Sequence, residues 1–198
     1  VIKNDTGIKE KAKDRKDILT GSIEKSISSN QGVAEMHSIV FSEITIPWEP
    51  DLMEKWMKEF YAKWMSIPYK KDRKEYKEHP ENFGTSMLGI DEEEFDHLNQ
   101  TLDTPVSKND FLAGKVCIVY RNGVELVDKD LIGKTVTCTL YRNLKKSKSF
   151  TVAGATDDSY YTALLGYPPT LIVSDQVVKA FDAKAFILKT GIRYKKEY

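Results

Sequence analysis

A chain of 198 residues, 40% hydrophobic and 30% charged, is long enough for one sizeable core and lies well away from the composition of disordered chains. Thirty basic residues balance thirty acidic ones, so no global field draws in a polyanion and nucleic acid is not expected as a partner. No stretch approaches the ~18 apolar residues of a membrane span, and the charged, apolar, small-residue order of a signal peptide is missing, as it would be both in a cytosolic protein and in a segment lying between two membrane helices.

Over residues 8–29, Ile18, Leu19, Ile23 and Ile27 recur at intervals of three or four, which predicts a helix ending before Gly32. Residues 33–46 set Met36, Val40, Ile44 and Ile46 among β-branched neighbours and predict one or two strands stopped by Pro47. Over 52–65 a helix has Leu52, Trp56, Phe60 and Trp64 in one row and Met53, Met57, Tyr61 and Met65 in the next. Such a stripe ordinarily packs on a core. Its aromatic and methionine content also suits an adaptable contact surface, which makes Trp56, Phe60, Tyr61 and Trp64 candidates for ligand or partner contact. Pro68 ends this helix, and the polar residues 69–82 read as a second, solvated helix or a loop. Residues 48–83 together read as a helical lobe inserted into a single domain spanning 1–198.

A strand at 87–90 leads into a helix opened by Asp91, with Glu92, Glu93 and Glu94 where the positive end of the helix dipole favours them. Further strands are expected at 116–120, 135–141, 149–153 and 170–173, with a turn at 121–123 and a polar hairpin loop at 143–148. Residues 157–169 form a loop whose Tyr160, Tyr161 and Tyr167 either cover the sheet edge or offer contact area with a polar handle. Asp175 caps a short helix over 176–181, and a last strand occupies 185–189. Helices and strands mixed without strict alternation point to an α+β fold, a mixed β-sheet with helices packed on it.

Chemistry is sparse. Gly133, Lys134 and Thr135 look like the tail of a phosphate loop, but Asp128 stands where its first glycine belongs, and the following VTCTLY reads as a strand where a helix is needed. The histidines are His37, His79 and His97. Asp91, Glu94 and His97 share one side of a helix and form a conceivable cation set, although helix-end electrostatics plus a surface histidine is the commoner reading. Cys117 and Cys138 make neither a four-ligand zinc site nor a CxxC pair, and buried thiols are the default. They would pair in an oxidising compartment only with Cα atoms within ~7 Å. No G-x-S-x-G elbow is present. No catalytic, cofactor-binding or metal-binding residue is therefore assigned, no cofactor is expected, and the chain is not read as an enzyme.

The order of several short phrases says more. A helix ending at Gly32 and Val33 is followed by LGIDEEEF at 88–95, a Phe-x-x-Gly turn at 111–114, an Ile-Gly-Lys turn at 132–134, a strand at 150–154 carrying a valine and a glycine, and a proline-led strand from Pro169. In this order they resemble the MacB-like periplasmic core domain, the extracytoplasmic part of FtsX-type ABC-transporter permeases. The match omits roughly residues 47–85, and the dozen residues after Ala155 leave little room for the second lobe that family members often carry there. The resemblance implies a non-catalytic extracellular domain at the cell membrane, anchored by helices before Val1 and after Tyr198. It further implies a cytosolic ATPase partner acting through those helices, and a role in substrate capture, partner docking or signal sensing. The alternative is a free-standing secreted ligand-binding or sensor module.

Overall fold

The computed structural model describes residues 2–3, 21–47, 50–65, 84–121, 131–163 and 169–196. In chain order the elements are β1 (Ile2–Lys3), α1 (Gly21–Ser28), β2 (Val33–Thr45), α2 (Pro50–Phe60) with a π-helical turn (Tyr61–Met65), β3 (Gly84–Ile90), α3 (Glu92–Asn99), α4 (Lys108–Leu112), β4 (Val116–Tyr120), β5 (Thr135–Leu140), β6 (Asn143–Thr156), a 3-10 turn (Ser159–Tyr161), β7 (Thr170–Ser174), α5 (Asp175–Phe181) and β8 (Phe186–Tyr194).

The described strands join in one sheet of eight, ordered β1-β8-β2-β3-β7-β4-β6-β5. The β3–β7 and β4–β6 pairs are parallel and the others antiparallel, so the fold is α+β with a mixed sheet. The long strand β2 organises it. One edge carries β8 along residues 33–41 and then β5 at Ile44 and Thr45, while the opposite edge pairs with β3 over residues 40–45. The sheet therefore curls until β5 returns to β2. Register shifts at Val33/Glu35 and Ile39/Val40 mark where β2 departs from a regular ladder, and such irregularities bend a strand.

Alternation along the strands divides the core between the two faces of the sheet. Val40, Ile44, Met87, Cys117, Val119, Leu171 and Val173 meet Trp56 and Met57 of α2 and Val178 and Phe181 of α5. Ile39, Phe41, Leu88, Ile118 and Ile172 meet Phe95 and Leu98 of α3 and Phe111 of α4, with the Phe95 and Phe111 rings stacked at 4.3 Å. Central strands β3, β4 and β7 are covered on both sides, which is why they read as continuous apolar runs. Gly89 sits directly beneath α5. A Cβ at that position would lie 2.7 Å from the Asp175 Cα and 2.8 Å from a Val178 methyl, so only glycine lets the helix settle on the strand.

Several sequence expectations change. The polar segment 143–148 is not a hairpin loop but the first half of β6, laddered with β5 through Cys138↔Lys148 and Thr139↔Ser147. Its exposed residues carry no apolar alternation that would reveal a strand. Helix α4 was not anticipated; Ser107 caps it, its Oγ accepting from the Asp110 amide at 3.4 Å. Asp175 is the first residue of α5, with Ser174 at the cap position, and β8 runs on to Tyr194. The predicted helix over 8–29 is described only as α1; its earlier part, the segment 69–82 and the turn after Arg121 lie outside the described residues. Thr135 opens strand β5 directly after Gly133 and Lys134, so the turn leads into a strand and not into the helix a phosphate loop needs. Cys117 and Cys138 are buried free thiols, with burial pushing the Cys138 thiol up to about 12 and the Cys117 thiol higher still. No helix among the described residues is long and apolar enough to cross a membrane.

Candidate functional site

A pocket of about 560 Å³ opens between the C-terminal half of α3, the 3-10 turn and β8, bordered by His37, Glu94, His97, Tyr160, Tyr161 and Arg193 among others. Strand periodicity supplies its floor: Glu35 and His37, two apart on β2, lie on one face, and the ladder sets Arg193 opposite Glu35 and Gly191 opposite His37. Helix α3 supplies the wall. Asp91 caps it by accepting from the Glu94 amide at 2.8 Å, which points the Asp91 carboxylate toward β2, and His97 follows from the last turn.

These residues form one polar cluster. The His37 ring is buried, with Asp91 Oδ1 3.3 Å from Nδ1 and Glu35 Oε2 3.4 Å from Nε2. A neutral imidazole donates from one nitrogen only, so a carboxylate on each side means either a ring carrying two protons or a lone pair facing a carboxylate. Glu93 adds a third carboxylate, its Oε2 3.9 Å from His37 Nδ1. Arg193 Nη1 lies 3.2 Å from Glu35 Oε2 and donates to His97 Nε2 at 2.7 Å, while His97 Nε2 is 3.6 Å from the same Glu35 oxygen. The bond from His37, reinforced by the Arg193 charge, holds the Glu35 carboxyl below its usual range. Nearby, Tyr161 donates its hydroxyl to the buried Glu94 carboxylate at 2.5 Å. The Tyr160 ring packs edge-on against Tyr161, and Lys189 donates to the Tyr160 carbonyl with its ammonium 4.7 Å from the Tyr160 ring centre. Burial, together with the Glu94 and Asp91 charges, raises the Tyr160 hydroxyl to about 12.

The residues singled out from sequence are placed unevenly. Trp56 is 1% exposed and packs in the core beside Met57, and Tyr61 is half-buried against the same cluster. Phe60 and Trp64 belong to α2 and its π-helical turn, with side chains outside the described residues. Tyr160 and Tyr161 both border the pocket, Tyr161 as a buried residue, and Tyr167 lies outside the described residues. Of Asp91, Glu94 and His97, the fold turns Glu94 toward Tyr161 and brings Asp91 and His97 to His37 and Glu35 instead. Glu35 and His37 were not singled out as a pair; their only sequence signal is a Glu-x-His spacing on a strand, which says nothing about what the shared face meets.

No protein-family model matches the chain, and no curated protein sequence matches it. Solved structures do. One is the extracellular domain of the noncanonic ABC-type transporter YknZ from Gram-positive bacteria, at 13% identity and a TM-score of 0.47, with 90% of this chain and 74% of that one covered. Another is the periplasmic region of MacB from Actinobacillus actinomycetemcomitans, at 13% identity and a TM-score of 0.49, with 97% of this chain and 72% of that one covered. This chain is similar to both.

Proposed function

We propose that this chain is a non-catalytic extracellular domain of an ABC-transporter permease, working in substrate capture, partner docking or signal sensing, with a cytosolic ATPase as its indirect partner. One observation carries the reading: the ordered phrases follow the order of the elements, five of them at junctions between elements and one within a strand. Gly32 and Val33 join α1 to β2, LGIDEEEF runs from β3 into α3, and Phe111 to Gly114 close α4 ahead of β4. Ile132 to Lys134 precede β5, Phe150 to Gly154 lie within β6, and Pro169 leads into β7. The glycine of the first long phrase, Gly89, is the point on which α5 rests, the helix that follows the proline-led strand β7.

The contact candidates that remain proposals are Tyr160 and Tyr161 at the pocket, Tyr167, and Phe60, Tyr61 and Trp64 of α2 and its π-helical turn, while Trp56 is taken up by the core. The test is to express the full-length gene with a tag, separate membrane from soluble fractions, and label intact cells with an amine reagent that does not cross membranes. Membrane association, surface labelling of this segment and co-purification of an ATPase are expected. Recovery as a soluble secreted protein without an ATPase would refute the permease reading and favour a free-standing binding module.

A further inference from the structure

We propose that Glu35, His37 and His97 bind a divalent transition-metal ion, Zn²⁺ by its ligand chemistry, at the wall of the pocket. The argument begins with the ligand atoms: one from each of these side chains, all within 4.8 Å of one another. Zinc–ligand bonds of ~2.0–2.2 Å at the tetrahedral angle place neighbouring donor atoms about 3.3–3.6 Å apart. Glu35 Oε2 already stands 3.4 Å from His37 Nε2 and 3.6 Å from His97 Nε2. The remaining gap closes by turning His97 and Glu35, whose side chains are 35% and 42% exposed.

The arrangement behind the ligands fits the same chemistry. Zinc-binding histidines characteristically donate their second nitrogen to a carboxylate, which fixes the tautomer and aims the lone pair at the metal. Asp91 occupies that position on His37, 3.3 Å from Nδ1, and is itself held by its cap bond to α3. With Nδ1–H directed at Asp91, the Nε2 lone pair is free for the ion, which then replaces the hydrogen bond between His37 Nε2 and Glu35 in the metal-free chain. A cationic group already stands at this locus: the Arg193 guanidinium touches both Glu35 and His97. Metal binding displaces Arg193 from these two partners. The ligands come from a strand and a helix, so the ion ties α3 to β2. The ligand set of two imidazoles and one carboxylate suits zinc over magnesium or calcium, which take oxygen donors.

The test is calorimetric titration of Zn²⁺ into the chelator-stripped 198-residue chain, repeated with Co²⁺ as a spectroscopic probe whose visible bands report tetrahedral coordination. One saturable site per chain is expected. His97→Gln and Glu35→Gln, both at partly exposed positions and so compatible with folding, should each weaken binding at least ~10-fold. Arg193→Ala should tighten binding by removing the competing cation. Absence of saturable binding in the wild-type chain, or undiminished binding in both His97→Gln and Glu35→Gln with circular dichroism unchanged, overturns the proposal. Weaker binding in Arg193→Ala overturns the displacement of Arg193.

Discussion

Substituting Gly89 with alanine tests the central packing of the molecule. The added methyl would sit 2.7 Å from the Asp175 Cα and 2.8 Å from a Val178 methyl. Val178 has a side chain that can rotate, but the Asp175 contact is backbone, so relief requires α5 to lift from β3 and β7. Overpacking of this kind costs ~1–3 kcal/mol, and a backbone obstacle puts this site near the upper end. Alanine also restricts the unfolded chain, which offsets roughly 0.4–1 kcal/mol because Gly89 lies outside the left-handed region. The net loss is about 2 kcal/mol, or a melting temperature lower by ~4–8 °C in a chain of this size. Thermal and urea unfolding followed by circular dichroism would measure it. Gly133→Ala is the comparison: its φ is 86° with nothing within 4 Å of the new methyl, so only backbone strain applies. That strain is ~1–2 kcal/mol before the unfolded-state gain, leaving a smaller effect of about 1 kcal/mol. A Gly89→Ala protein melting within ~1 °C of wild type, or above Gly133→Ala, would refute the steric argument.

Tyr161→Phe removes the hydroxyl that donates to buried Glu94 and should destabilise the fold by ~1.5–3 kcal/mol, whereas Tyr160→Phe should cost less; equal melting temperatures for the two variants would count against the assigned bond. Asp182 accepts from Ser42 Oγ at 2.8 Å and from the Lys184 amide at 2.9 Å, so Asp182→Ala should lose ~2–3 kcal/mol, and denaturant midpoints will show whether Asp182→Asn recovers part of it. Both thiols should react with Ellman's reagent at pH 8 only on unfolding, and rapid labelling of native protein would contradict their burial. Because folding raises the Cys138 pKa from 9.0 to about 12, the unfolded state ionises first. That contribution to stability is intact below pH 9, falls as pH rises, and is gone above about 12. Urea midpoints flat between pH 8 and pH 11 would disprove it.

Legibility in sequence followed what each residue contacts. Strands buried on both faces declare themselves, since residues 116–119 and 171–173 are unbroken runs with no polar residue to blur them. Asp91 was readable as a cap because capping is local: its partner is the amide three residues on. The first half of β6 was not, because residues 143–147 are exposed and what makes them a strand is the β5 backbone alongside. The polar cluster was half legible. Asp91 and His97 share a helix and could be grouped by spacing, but His37 joins them across 54 residues of chain, because β2 pairs with the strand that leads into α3. The reading of Trp56 as a contact candidate depended on which side of its helix faced the sheet, and periodicity alone does not distinguish an inward stripe from an outward one.

The return of β5 to β2 also bears on solubility. A mixed sheet ordinarily ends in strands whose unpaired amides and carbonyls can recruit another chain, and a long flat edge is a seed for aggregation. Here the last strand of the order finds a partner at Ile44 and Thr45, so the end of its free edge at Thr139 and Leu140 is taken up within the molecule. The end of the β5–β6 hairpin beside this closure carries Lys145, Lys146 and Lys148, and charge of one sign repels a second copy arriving with the same lysines. Replacing those lysines with threonine would keep the strand and its pairing with β5 while turning the projecting end of the hairpin into a surface on which identical chains could stack.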